Sequence, residues 1–202
     1  MTSGSWLLLG LCFRQHGRVL CGRRKTGLIS SMAEPPAAHL CVINDARALA
    51  WILSEGRLAF SEHWFGALKR LMPGHRMLLY TTQQCFGGPT RAGRSRIIGE
   101  AILTSRFKLT RVPYRLAGRT FPVEGAIEII RLAPLADSVV FVELVPRLHG
   151  FKGVWNLRLR GAPVPLDEHD CSLISAELAR KAVNLDDVMG NYMSYRSISS
   201  EW

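Results

Sequence analysis

Acidic residues are missing from the two places where this 202-residue sequence is most basic. Residues 1–31 hold Arg14, Arg18, Arg23, Arg24 and Lys25 and no acid, and residues 91–119 hold eight basic side chains against the single acid Glu100. Residues 120–202 lean the other way, with eleven acids and eight bases, so the formal charge of +10 sits in patches. A concentrated basic segment suits a phosphate-bearing partner, and it equally suits a solvated surface loop. Other absences exclude whole classes. No apolar run approaches the roughly 20 residues that cross a bilayer, so no membrane partner is expected. The cysteines, Cys12, Cys21, Cys41, Cys85 and Cys171, are scattered and odd in number, with no Cys-x-x-Cys pair. That argues against a zinc ribbon and a disulfide framework, and for free thiols in a reducing, cytoplasmic setting. There is no G-x-S-x-G, H-E-x-x-H, P-loop or G-x-G-x-x-G, so neither an enzyme nor a bound cofactor is expected.

Residues 1–37 read as a basic N-terminal extension. "SWLLLGLCF" is apolar but short and has no basic segment before it, a poor fit to a secretory signal. The acid-free, Ser-containing composition faintly resembles a transit peptide, while "MAEPPAAHLCVIN" from Met32 reads as the opening of a domain. That domain is expected over 38–180, followed by a polar, loosely held tail over 181–202.

Within it, "HLCVIN" reads as a buried strand, Asp45 as the cap of a helix over "ARALAWILSEG", and Gly56 as its stop. "RLAFSEHWFGALKRLM" is a polar-aromatic segment. "RMLLYTT" and "RIIGEAILTS" read as strands, with Gly99 a bulge or close-approach point. "TFPVEGAIEIIRLAPL" and "VVFVEL" read as extended, "VWNLRLRGAPV" as a half-buried strand, and "PLDEHDCSLISAELARKAV" as a helix with an acidic first turn. Short, mostly antiparallel strands with helices early and late predict a small α+β barrel.

The two strands "RMLLYTT" and "RIIGEAILTS" are joined by a connection far longer than a hairpin turn. Tyr80, Thr81 and Thr82 stand where the first strand turns polar, and Phe86 follows just ahead of two glycines. Phe151 and Trp155 come later. Aromatics around a slot with hydroxyls at its floor suit a planar nucleobase, and Arg91, Arg94 and Arg96 suit its phosphates. Tyr80 and Trp155 suit a core equally well. "DEHDC" (167–171) reads as an ordinary helix start rather than a metal site, because consecutive residues cannot all face one ion. Ser61 with His63, or Cys85 with His75, lack a third orienting group.

These segments, in this order, resemble the EVE domain of the PUA-like superfamily, whose relatives are the PUA, ASCH and YTH folds. The resemblance runs through a strand closing on Asn44, then "LMPGHRMLLYTT", "IIGEAILTS", "VPYRLAGRTFPVEGAIEI" and "LVPRLHGFKGVWNLRLRGAPVPLDEHDCSLI". It departs from the family at His75, where an Asp is usual, and at "NDAR", where commoner members carry Lys-Ser-Glu-Pro. The resemblance implies a PUA-like barrel and a non-catalytic reader of DNA or RNA that holds a modified base. It also implies Asn44, Arg57, Tyr80, Thr81 and Trp155 as pocket residues. The rivals are an ASCH-like hydrolase using Cys85, His75 and Glu100, and a small-ligand or protein-interaction module.

Overall fold

A computed structural model of the chain describes residues 37–86, 94–116, 118–153, 155–160 and 163–195. Strand β1 (Ala38–Ile43) ends at Asn44, and Asp45 caps α1 (Ala46–Glu55), its Oδ1 accepting the Arg47 N–H at 2.8 Å. Gly56 stops the helix at φ 60°, and its N–H donates to the Ile52 carbonyl. Without a Cβ it adopts that left-handed conformation at little cost. The chain continues through β2 (Arg57–Phe60), a 3-10 turn (Glu62–Trp64), α2 (Phe65–Leu68), β3 (Arg76–Thr81), β4 (Arg96–Leu103), β5 (Lys108–Leu116) and β6 (Arg119–Leu132). After β6 come β7 (Val139–Val140), α3 (Phe141–Leu144), α4 (Trp155–Arg158), β8 (Val164–Leu166), α5 (Glu168–Ala179) and α6 (Leu185–Met193).

The strands form one sheet in the order β2-β6-β4-β3-β1-β8, with β5 also on β6 and β7 on β4. Among the described strands, only β1 and β3 pair in parallel. The expected PUA-like α+β barrel is therefore a curled, mixed sheet, a half-barrel flanked by helices. β3 reads as an unbroken apolar run because both its faces are covered. Met77 and Leu79 join a core with Leu49 and Leu53 of α1 and Tyr192 of α6. Leu78 and Tyr80 join a second core with Phe141, Phe151 and Ile174. Gly99 is a close-approach point as expected: a Cβ there would lie 2.9 Å from the Arg131 carbonyl oxygen.

Three segments differ from their sequence patterns. "VWNLRLRGAPV" is not one strand; it holds α4 and ends on Val164, the first residue of the short β8. Trp155 and Leu159, four residues apart, pack on the second core while Leu157 between them is 49% exposed, so a helical pair imitated alternation. "VVFVEL" turns helical after two strand residues. The polar tail contains α6, whose Val188 and Tyr192 are buried at the same four-residue spacing, and the Tyr192 hydroxyl donates to the Ala133 carbonyl at 2.7 Å. Among the described residues, no helix is long and apolar enough to cross a membrane.

Candidate functional site

A cavity of about 570 Å³ opens where β1 runs into the capped start of α1. Asn44 and Asp45 form its floor together with the last residues of β1, and Ala48 and Ile52 add one face of α1. Leu58, Ala59 and Phe60 of β2 lead into Ser61, His63 and Trp64 on a second wall. Leu116, Arg119 and Phe121, from the tip of the β5–β6 hairpin, form a third, and Leu159 and Arg160 after α4 close the fourth. Hairpin geometry fixes the third wall. The turn passes through Gly118 at φ 72°, which puts Leu116 opposite Arg119 and Tyr114 opposite Phe121. Tyr114 stacks on Trp51 of α1 at 4.2 Å, which pins the hairpin over the helix. A recess of about 30 Å³ beneath that stack shares Ala48, Ile52, Ala59, Leu116 and Phe121 with the main cavity.

The polar groups at the cavity divide into engaged and free. Asp45 is engaged: both carboxylate oxygens accept from the Arg47 guanidinium, at 3.1 and 2.7 Å. The Arg47 side chain is the main reason the Asp45 carboxyl titrates below its ordinary range. The side chains of Asn44, Ser61, Arg119 and Arg160 make no hydrogen bond or ion pair among the described residues. The lining carries the half-buried rings of Trp64 and Phe121 and the buried Phe60, with an amide and a hydroxyl available to a planar polar ligand.

Of the side chains expected at a pocket, only Asn44 lines this one. Tyr80 is 3% exposed and meets the Phe141 ring edge-on at 5.1 Å, so it is a core residue and cannot stack on a base. Burial also pushes its hydroxyl pKa up. Thr81 is buried too, its hydroxyl donating to the Arg96 carbonyl at 3.3 Å. Thr82 serves the backbone, its N–H donating to the Ile43 carbonyl, and Phe86 packs beside Tyr195 at 5.1 Å. Trp155 meets Phe141 at 5.6 Å, outside the cavity lining. Arg57 ion-pairs with Glu124 at 3.0 Å, and Arg94 with Glu143 at 3.1 Å. Arg96 corrects the phosphate expectation most sharply: it is buried, and its Nη1 donates to the Ser138 and Ala136 carbonyls at 3.0 and 3.3 Å. Arg91 lies outside the described residues.

The residues missed were Phe60, Ser61, His63, Trp64, Arg119, Phe121 and Arg160. Part of their signal was present in the polar-aromatic run "AFSEHW", although Phe60 and Trp64 also pack on the first core, and in Arg119, which ends the basic segment; Arg160 left no signal of this kind.

The groups of a hydrolytic site do not assemble. Cys85 is buried beneath the start of α1, and burial pushes its thiol up to about 12. Glu100, 3% exposed, is held by Arg76 and by Arg131 at 2.8 Å, and His75 stacks on His39 at 5.4 Å. Ser61 and His63 both reach the cavity, with no hydrogen bond between them. His149, His169 and Asp170 lie near enough to share a metal ion. The two imidazoles are stacked at 3.9 Å and 7°, so their in-plane lone pairs cannot meet at one ion. The Asp170 oxygens accept the His149 and Gly150 N–H groups at 2.7 and 2.8 Å, which is a structural role.

Comparison of the sequence with protein-family models and with curated proteins gave no match. Among solved structures, the chain is similar to the apo YTH domain of Toxoplasma CPSF4, with TM-score 0.55, 13% identity, and 79% of this chain against 97% of that one. The Toxoplasma CPSF4 YTH domain in complex with a 7-mer m6A-modified RNA gives 0.51 and 14%, over 74% and 95%. The Mmi1 YTH domain gives 0.50 and 9%, over 72% and 76%.

Proposed function

We propose that this protein is a non-catalytic RNA reader that takes one unpaired, modified base into the cavity between β1, the 3-10 turn and the β5–β6 hairpin. The reading rests chiefly on one observation: a cavity of about 570 Å³ with aromatic residues in its lining holds an amide and a hydroxyl that no described protein group uses. A flipped base offers π-faces to such walls and donors and acceptors to such groups. Stacking contributes roughly 1–3 kcal/mol per base. The YTH-like fold supports the choice of RNA over DNA, since the Toxoplasma domain that shares it was solved with m6A-modified RNA. The small apolar recess beside the cavity supports a preference for modification, because burying one methyl there is worth about 0.8 kcal/mol. Membership of the EVE branch is part of the proposal and rests on the order of sequence motifs; the fold supports its PUA-like parent.

The test is fluorescence anisotropy with single-stranded RNA and DNA of one sequence, each carrying adenine or its N6-methylated form, at two salt concentrations. The reading expects tighter binding to one modified RNA at both salts, lost in Asn44→Ala and Trp64→Ala. Equal binding to all four strands would end it.

A further inference from the structure

Of the arginines expected on phosphates, Arg94 is ion-paired with Glu143 and Arg96 is buried. Five of the protein's acids are committed to particular arginines: Glu124 to Arg57, Glu143 to Arg94, Glu100 to Arg76 and Arg131, Glu177 to Arg147 and Arg180, Asp45 to Arg47. The arginines left exposed and unpaired are therefore informative. Two of them, Arg119 and Arg160, line the cavity, one at the hairpin tip and the other after α4. They come from different walls, and among the described residues no acid forms an ion pair with either. The one carboxylate in the lining, Asp45, is already satisfied by Arg47. A base seated in the cavity must leave its sugar and phosphates toward solvent, and Arg119 and Arg160 are both exposed residues of the lining.

We propose that Arg119 and Arg160 bind the phosphates on the two sides of the inserted base, so that the β5–β6 hairpin and the segment after α4 act as the backbone clamp in place of Arg94 and Arg96. This rests on the base-binding reading of the cavity above. A guanidinium fork matches phosphate geometry and adds affinity without regard to sequence.

The test uses the full chain and fluorescently labelled single-stranded RNA, m6A-modified and unmodified, titrated from 50 to 200 mM salt. Wild type is compared with R119Q/R160Q and with R70Q/R106Q, which removes the same charge from exposed, unpaired arginines outside the cavity. Thermal melts verify that each variant folds. The proposal expects R119Q/R160Q to lower the slope of log affinity against log salt by about 1.4, the value for two single-strand phosphates. Both RNAs should weaken alike, and their affinity ratio should stay at the wild-type value. R70Q/R106Q should leave the slope near wild type. An unchanged slope in R119Q/R160Q, or an equal fall in R70Q/R106Q, would overturn the assignment. If wild type bound RNA with a strong slope but no preference for modification, and R119Q/R160Q lost that slope, the base-reading would fail and the clamp would stand. No RNA binding by wild type would sink both.

Discussion

Replacing Arg96 with Ala separates a structural guanidinium from a phosphate-binding one. The Arg96 side chain is buried at the start of β4, and Nη1 bridges the Ser138 and Ala136 carbonyls at 3.0 and 3.3 Å. These bonds fasten the turn before β7, the strand that pairs with Arg96 and Ile97. A hydrogen bond to a charged group contributes about 1.5–3 kcal/mol, and the orphaned carbonyls add a desolvation cost. Loss of the buried stem leaves a void, while release of a buried charge offsets part of the loss. A net loss of roughly 3 kcal/mol follows, or a Tm lower by about 6–12 °C for a domain of this size. Urea and thermal melts measure the first effect, and the salt dependence of RNA binding measures the second. Unchanged stability with a flattened salt slope would refute the structural assignment and return Arg96 to the phosphates.

The remaining predictions concern the sheet and the cores. Burial, helped by His75, lowers His39 from 6.5 to about 4. The unfolded chain therefore takes up that proton first: stability is intact above pH 6.5, falls as pH drops toward 4, and levels off below. The loss is bounded at about 3 kcal/mol and reduced by the ring's partial exposure. His39→Gln should flatten the pH dependence of the urea midpoint over that window. Gly99→Ala forces a Cβ to within 2.9 Å of the Arg131 carbonyl oxygen, so β4 or β6 must shift. A loss of about 1–3 kcal/mol is expected in the same melts. Cys41 and Cys85, both pushed up to about 12 by burial, should resist a thiol reagent at pH 8 until the chain unfolds, read residue by residue by peptide mass spectrometry.

Local rules carried far along this chain. Asp45 caps and Gly56 stops the first helix because each side chain, or its lack, decides the backbone on its own. Gly99 announced a close approach inside an apolar strand. What failed depended on partners distant in sequence. Tyr80 borders a polar stretch, yet it points at Phe141, sixty-one residues later, and only the sheet order reveals that. Arg96 belongs to an arginine-rich run, but the turn at Ser138 claims it. The cavity draws on β1, β2, the hairpin tip and the segment after α4, and no local pattern joins them. Its clearest trace was "SEHW", whose Ser and His interrupt the apolar pattern between Phe60 and Trp64, both of which pack on the first core.

The location of the base is tested most directly by the tryptophans. Indole N–H resonances, assigned with Trp64→Phe and Trp155→Phe, would be followed as m6A-modified single-stranded RNA is added. Trp64 lines the cavity, while Trp155 meets Phe141 outside it. A large shift of the Trp64 indole with Trp155 nearly still is the predicted result. A shift at Trp155 with Trp64 unmoved would contradict the account and put the base on the opposite core.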